Sequence, residues 1–412
     1  TGVPVALKDN LSTRGLRTTC ASKILSDYIP PFDATVVAKL KEQGAIVLGK
    51  TNLDEFAMGT STENSAYQLT HNPWDLARSP GGSSGGSAAS VAAGFTPLSL
   101  GSDTGGSIRQ PAALCGIVGF KPTYRVSRYG LVAFGSSLDQ IGPFGFNVED
   151  TALMAEAISG HDPRDSTSLR HAPIDASSVR NGSLKGRRVA VPKEFFGDAM
   201  HAGLRAVVEQ ALDTMRKEGA VLEKVSLPST QYGVTTSYII APAEASSNLA
   251  RFDGIRYGPR AEGSGHISVV ERTRAEGFGH EVKARIMIGT YALSAGYYDA
   301  YYLRAQQGRG LMVQEFKSVF DKYDVVVGPT NPVPAFKIGE LKNDPMALKL
   351  LDFCTIPANT LGCPAISINA GLTHGLPVGL HFMAPPLADE RVLQVAYATE
   401  QALGATMRAP FP

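Results

Sequence analysis

Two clusters of serine and glycine contain the residue types best suited to chemistry in this sequence. The first runs from Gly81 to Ser87 and the second from Thr104 to Ser107, with mostly small and apolar residues between them. Glycine allows a positive φ and lets a ligand approach bare backbone N–H groups. A serine in such a loop can act as a nucleophile, and the adjacent amides can receive negative charge. The apolar interval indicates a buried segment and argues against a flexible linker.

Two familiar motifs account poorly for these clusters. A phosphate-binding loop would need a G-K-[ST] ending or a G-x-G-x-x-G pattern, and the first cluster has neither. Residues 81–85 match G-x-S-x-G, the nucleophile turn of α/β-hydrolases, with His374 or His381 as the downstream histidine. Glycine-rich sequence matches that pattern easily, so the match is weak evidence.

A third hypothesis uses both clusters together. Ser107 would be the nucleophile, Ser83 would supply a second hydroxyl, and N–H groups around Gly105 and Gly106 would bind an oxyanion. The base must then come from elsewhere, and the sequence contains no S-x-x-K motif that would supply it.

Lys8 could be that base, since it ends the apolar run from Val3 to Leu7. A lysine at the end of a strand commonly extends its ammonium group to the surface. A buried lysine instead loses solvation, which lowers its pKa from about 10.4 and makes the neutral amine a proton acceptor. The pattern alone leaves both interpretations open.

Strands and helices alternate around these residues and predict an α/β architecture. We predict a helix over 34–43, a buried strand over 45–49, a helix over 84–94, a strand over 97–101 and a helix that opens at Ser107. Further on, the pattern favours the helices 203–217, 298–323 and 389–403, and the strands 188–192, 221–227, 324–329, 365–369 and 377–382. We predict that the polar stretch 161–186 is a segment that runs over the surface, within one domain spanning 1–412.

The composition is that of a globular protein with a large core. The chain has 412 residues, of which 43% are hydrophobic, and its formal net charge is +1, which argues against a fold-wide surface for nucleic acid. The cysteines and histidines lack metal-ligand spacing, so we expect free thiols and no metal site. No apolar run is long enough to cross a bilayer and no signal peptide is visible, so we expect a cytoplasmic protein of bacterial type, with an organelle as the alternative.

Taken together, these motifs resemble the amidase signature family. Three stretches, 81–87, 101–109 and 115–123, match its serine- and glycine-rich core in order, and 5–10 resembles its lysine motif. The resemblance implies a mixed central β-sheet surrounded by helices. It also implies a Ser-cis-Ser-Lys triad, with Ser107 as nucleophile, Ser83 as bridging serine after a cis Gly82–Ser83 bond, and Lys8 as base. Members of that family usually carry a helical segment before the lysine motif, and we expect this sequence to lack it.

In the mechanism that this resemblance implies, neutral Lys8 takes a proton through Ser83 as Ser107 attacks an amide carbonyl. The same chain then returns a proton to the leaving amine. The backbone N–H groups of Thr104, Gly105, Gly106 and Ser107 would bind the oxyanion, with each strong donor contributing about 3 to 4 kcal/mol.

Three further blocks, 50–59, 244–258 and 289–302, resemble the branch of the family that serves tRNA-dependent amidotransferases. This resemblance implies a glutaminase component whose ammonia is used by a partner to convert Glu-tRNA(Gln) or Asp-tRNA(Asn) to Gln-tRNA(Gln) or Asn-tRNA(Asn). It implies a heterotrimer with two partner subunits, a tRNA-binding kinase/transamidase and a small one. ATP and Mg²⁺ would serve the partner, with no cofactor in this chain. A free-standing amidase acting on another small amide is the alternative.

A glutamine substrate also presents an α-carboxylate and an α-ammonium group. A bidentate arginine suits the first and a carboxylate suits the second. By resemblance, Arg285 and Asp352 fill these roles, and Tyr238 is a further candidate for the pocket. On the sequence pattern alone, a surface arginine and a helix-capping aspartate explain the same two residues.

Overall fold

The computed structural model describes residues 2–198, 200–256, 258–405 and 407–410. Tyr257, which belongs to the 244–258 block, lies outside the described residues. Within these ranges no helix is long and apolar enough to span a membrane.

Ten strands form one mixed sheet in the described part of the chain. They are β1 Pro4–Lys8, β2 Ile46–Thr51, β3 Leu98–Asp103, β4 Val118–Lys121, β5 Gln140–Gly145, β6 Arg188–Pro192, β7 Val221–Val225, β8 Val325–Pro329, β9 Ala365–Thr373 and β10 Leu376–Met383. Their order across the sheet is β2-β1-β3-β5-β4-β9-β10-β8-β6-β7. Strand β1 pairs in parallel with β2 and β3, whereas β5 is antiparallel to β3 and β4.

Helices surround this sheet, so the predicted mixed α/β fold is confirmed. The described α-helices are α1 Thr35–Glu42, α2 Gly85–Ala92, α3 Arg109–Cys115, α4 Val148–Ile158, α5 Ala202–Lys217, α6 Gly233–Asn248, α7 His266–Gly277, α8 His280–Leu293, α9 Arg304–Phe320, α10 Pro345–Leu350, α11 Ile356–Leu361 and α12 Asp389–Leu403. The largest hydrophobic cluster joins α4, α5 and α12 to the strands β4, β6, β8, β9 and β10.

The sheet topology decides where the chemistry-bearing residues meet. Lys8 ends β1 and Asp103 ends β3, and these two strands run parallel as neighbours. The carboxyl ends of parallel strands lie at the same edge of a sheet, so the loop that follows Asp103 lies next to Lys8. Helix α2 begins at Gly85, within the first serine cluster, and α3 begins at Arg109, just after the second, so both clusters lie at the start of a helix.

Several local predictions were wrong in detail. Strand β2 was expected to be buried, but it is the edge of the sheet and exposes Ile46 and Leu48. The predicted helix 298–323 is present over 299–320, but its first residues, Asp299–Leu303, are π-helical before α9 begins. The stretch 161–186 is not only a surface excursion, because it contributes Ile174 and Val179 to the largest core cluster.

Candidate active site

The Lys8 side chain is completely buried and its amine lies among serines. Its Nζ is 2.7 Å from Ser83 Oγ, 2.7 Å from Ser84 Oγ and 3.0 Å from Ser102 Oγ. Asn10 donates from Nδ2 to the same Ser102 hydroxyl at 2.9 Å. The structure therefore decides between the two interpretations of Lys8, because its amine does not reach the surface.

Burial gives Lys8 the acid–base behaviour that a catalytic base requires. Desolvation lowers its pKa from 10.5 to about 7, although the nearby carboxylates of Asp54, Asp103 and Asp139 act in the opposite direction. An amine with this pKa is substantially neutral near neutral pH, so its lone pair can accept a proton.

Ser83 follows a cis peptide bond, Gly82–Ser83, as the resemblance implied. Its hydroxyl is buried, and it lies at hydrogen-bonding distance from Lys8. The next residue, Ser84, donates from its backbone N–H to the carbonyl of Ser107 at 3.2 Å, which ties the first serine cluster to the second. The structure thus brings Lys8, Ser83 and Ser107 into one small region.

Ser107 lies in the turn before α3 and not inside the helix that the sequence predicted, since α3 begins at Arg109. Its side chain reaches the pocket, and its hydroxyl has no hydrogen-bond partner among the described residues. Ser83 and Ser107 are linked through the bond from the Ser84 N–H to the Ser107 carbonyl, but their side-chain hydroxyls are not hydrogen-bonded to each other in this structure. Catalytic hydrogen bonds in unliganded enzymes are often long and tighten when substrate binds.

The loop from Thr104 to Ser107 has the features of an anion-binding turn. Among the described residues, no group accepts a hydrogen bond from the N–H of Gly105, Gly106 or Ser107. Gly106 has φ of +152°, and a Cβ at this position would lie 2.3 Å from Thr355 Oγ1, so only glycine fits here. The Thr104 hydroxyl donates to buried Asp139 at 2.6 Å and anchors the start of the loop.

A pocket opens beside this loop and contains the three predicted substrate-binding residues. Ser107, Tyr238, Arg285 and Asp352 all line it. The Arg285 guanidinium lies 5.0 Å from the centre of the Tyr238 ring, and its Nε donates to Glu281 at 2.7 Å. Arg285 is thus a buried residue and not the surface arginine of the alternative interpretation.

Asp352 presents an unpaired acceptor to the pocket. Its Oδ1 is buried and has no hydrogen-bond partner among the described residues. Desolvation raises the pKa of this carboxyl well above its usual range. A cationic group in the pocket would satisfy Oδ1 and favour the ionised carboxylate.

Sequence reasoning missed the supporting residues of the site. Ser84, Ser102 and Asn10 lie inside the recognised motifs, which is their only signal in the sequence. Their role emerges from the structure, where Ser84 and Ser102 hydrogen-bond the Lys8 amine and Asn10 hydrogen-bonds Ser102. Arg109 is also buried, where it pairs with Asp103 through two hydrogen bonds of 3.0 and 2.9 Å.

The α/β-hydrolase hypothesis finds no support in the placement of its histidines. His381 Nε2 is 3.0 Å from the Arg109 guanidinium, and His374 lies in the turn between β9 and β10. Neither ring contacts a serine of the two clusters by a hydrogen bond within the described ranges.

The sequence model that describes the amidase family matches residues 1–393 of this chain. The chain is 59% identical over 402 residues to the A-type component of glutamyl-tRNA(Gln) amidotransferase from Carboxydothermus hydrogenoformans, covering 97% of this chain and 83% of that protein. The corresponding protein of Heliobacterium modesticaldum is 56% identical over 411 residues, covering 99% of this chain and 84% of that protein.

Solved structures with a similar fold include members of two kinds, an amidotransferase component and an amidase. The crystal structure of the A-type component of glutamyl-tRNA(Gln) amidotransferase from Thermotoga maritima has a TM-score of 0.86 and 49% identity, covering 100% of this chain and 86% of that one. The peptide amidase of Stenotrophomonas maltophilia has a TM-score of 0.82 and 29% identity, covering 99% of this chain and 84% of that one.

Proposed function

The chain belongs to the amidase family, and from this membership we propose that it is the glutamine-hydrolysing component of a glutamyl-tRNA(Gln) amidotransferase. The observation that carries the proposal is one arrangement of side chains. The buried amine of Lys8 lies 2.7 Å from Ser83 Oγ. The next residue, Ser84, binds the Ser107 carbonyl, and Ser107 lines one pocket with Arg285 and Asp352. The relatives that are 56 to 59% identical, which carry this name, support the same function.

In the proposed reaction, Ser107 Oγ attacks the side-chain amide carbon of glutamine while its proton passes by way of Ser83 to Lys8. The tetrahedral oxyanion is held by the N–H groups of the loop that begins at Thr104. Collapse of this intermediate breaks the C–N bond, and the proton on Lys8 returns to the leaving nitrogen as ammonia departs. A water molecule then hydrolyses the acyl-enzyme and releases glutamate.

The pocket suits the other end of glutamine. We assign Arg285 to the α-carboxylate and Asp352 to the α-ammonium group. The unpaired Oδ1 of Asp352 supports the second assignment, because a buried acceptor without a partner is stabilised by a cationic donor. Tyr238 packs against the Arg285 guanidinium and helps hold it in place.

We propose that the ammonia passes to a tRNA-binding partner within a heterotrimer that also contains a small third protein. The tRNA-binding partner would use ATP and Mg²⁺ to activate the mischarged aminoacyl-tRNA, and the tRNA would contact mainly that partner. The reaction would then take place where aminoacyl-tRNA is used, in the bacterial cytoplasm. Asp-tRNA(Asn) is an alternative acceptor of the same ammonia.

A glutaminase assay with and without the partners and charged tRNA tests this function. We expect ammonia release from glutamine, copurification of two partners, and amidation of Glu-tRNA(Gln) by the assembled complex. A chain that purifies alone and hydrolyses another small amide in preference to glutamine would instead be a free-standing amidase.

A further inference from the structure

Thr62 has a backbone conformation that its side chain disfavours. Its φ is +59°, in the left-handed region, and its side chain is completely buried. A β-branched residue in this region is a genuine outlier, because its side chain crowds the backbone. Such conformations persist only where the surrounding structure compensates for them, and they cluster at functional sites.

The compensation at Thr62 comes from two hydrogen bonds of its hydroxyl. Oγ1 donates to the carbonyl of Gly81 at 2.7 Å and accepts from the N–H of Gly85 at 3.0 Å. These two partners stand on either side of Ser83 and Ser84 in the chain. One hydroxyl therefore spans the backbone of the segment that carries the Ser83 hydroxyl.

Neighbouring residues fix Thr62 and the same segment. Asp54 accepts from the Thr62 N–H at 2.9 Å and donates its own N–H to the Ser83 carbonyl at 3.2 Å. The packing leaves little space, since a Cβ on Gly85 would lie 2.3 Å from Thr62 Oγ1 and one on Gly82 would lie 2.2 Å from Asp54 Oδ2. The segment has little room to move away from Thr62.

We infer that Thr62 is a positioning residue for the proton relay, whose hydroxyl holds the Gly81–Gly85 segment so that Ser83 Oγ stays within reach of Lys8. The inference rests on the proposed function, because it takes Ser83 as the relay. Thr62 is not among the residues that line the pocket with Arg285 and Asp352. Its hydroxyl should therefore affect the chemical step and leave glutamine binding unchanged.

The test compares Thr62→Val with Thr62→Ser in the assembled amidotransferase. Valine keeps the shape and the β-branch but loses the hydroxyl, whereas serine keeps the hydroxyl and removes a methyl group. We expect Thr62→Val to lower kcat for glutamine hydrolysis about 100-fold, the scale of a small misplacement of a reacting group. The KM of Thr62→Val should change by less than about twofold, because the substrate pocket is retained. Thr62→Ser should keep kcat within about threefold of the parent, because the hydroxyl is retained.

Thr62→Gly repeats the test without the β-branched side chain, since glycine adopts a positive φ freely. It should be as slow as Thr62→Val although its backbone is relaxed. The inference is overturned if either variant retains the parent kcat, if Thr62→Ser is as slow as Thr62→Val, or if KM rises in step with the fall in kcat. Thermal unfolding of each variant ensures that rates are compared on folded protein.

A second measurement separates this inference from the proposed function. A fluorophosphonate, which phosphonylates activated serines, should label Ser107 without any glutamine, and the labelling rate should fall in Thr62→Val but not in Thr62→Ser. Slow labelling of Thr62→Val in a protein that does not hydrolyse glutamine would leave the positioning role intact and refute the substrate. Equal labelling of all variants would refute the positioning role.

Discussion

At the scale of single residues, the environment of Lys8 determines what its amine can do. The sequence could place Lys8 at the end of a strand but could not decide whether the side chain enters the core, since that depends on the strands on either side. The structure surrounds the amine with the hydroxyls of Ser83, Ser84 and Ser102. These hydroxyls hydrogen-bond the buried amine, and no carboxylate of the described residues forms an ion pair with it, so the amine is easily deprotonated.

Activity should therefore follow the ionisation of Lys8. Only the neutral amine accepts a proton, and burial lowers the pKa of Lys8 to about 7. We expect kcat/KM for glutamine to rise with pH through about 7 and then level off. Lys8→Ala should lose most of the rate, and the residual activity should lack this acid limb. A pH–rate profile that is the same in Lys8→Ala and the parent would remove Lys8 as the base.

Asp352 offers a test of substrate recognition. Asp352→Asn keeps the size of the side chain but removes the charge that we assign to the α-ammonium group. We expect KM for glutamine to rise about 10- to 100-fold, as for the loss of a charge-assisted hydrogen bond of about 1.5 to 3 kcal/mol, with a smaller effect on kcat.

Asp344→Asn is a matched control for this change. Asp344 is an exposed residue that caps α10 through the N–H of Ala347 at 2.9 Å. Asparagine caps helices equally well, so KM should not change. A KM that is unchanged in Asp352→Asn as well would contradict the assigned role of Asp352.

At the scale of elements, the sequence predicted those strands and helices whose residues show a clear hydrophobic pattern. It missed the elements that lack such a pattern. Helix α8 carries Arg285, but apolar residues lie on all its sides, because Val282 is buried while Met287 and Tyr291 are exposed. Such a helix lacks the amphipathic stripe on which a prediction depends. Strand β5 contains Pro143 and two glycines, residues that normally argue against a central strand.

The packing of α6 against α8 sets the position of Arg285, and a substitution at Gly289 in α8 tests the importance of this packing. A Cβ on Gly289 would lie 1.9 Å from the carbonyl oxygen of Pro242 in α6, a backbone atom that cannot rotate away. We expect Gly289→Ala to push the two helices apart, to lower the stability of the protein by about 1 to 3 kcal/mol and to raise KM for glutamine.

Gly310→Ala in α9 is the control for this substitution. Gly310 is an exposed helical glycine with nothing within 4 Å of the added Cβ. Alanine there should raise the stability by roughly 0.5 to 1 kcal/mol and leave KM unchanged. Thermal unfolding and glutamine titrations measure both effects, and equal behaviour of the two variants would contradict the packing argument.

At the scale of the whole molecule, the sheet assembles a site from segments that are distant in the chain. Lys8 and Ser83 are separated by 75 residues, and Asp352 comes from a segment much further along. The recognised motifs predicted the fold and brought these residues into one hypothesis. Composition and periodicity alone could not predict that these residues meet. The parallel pairing of β1 with β3 places Lys8 beside the second serine cluster, and this pairing depends on strand order and register.

The central claim is that Ser107 releases from glutamine the ammonia that a partner uses. The most direct measurement is formation of Gln-tRNA(Gln) by the complex carrying Ser107→Ala, with either glutamine or ammonium chloride as nitrogen donor. We predict that product formation from glutamine is abolished while product formation from ammonium is retained. Continued formation of Gln-tRNA(Gln) from glutamine by Ser107→Ala would contradict the account.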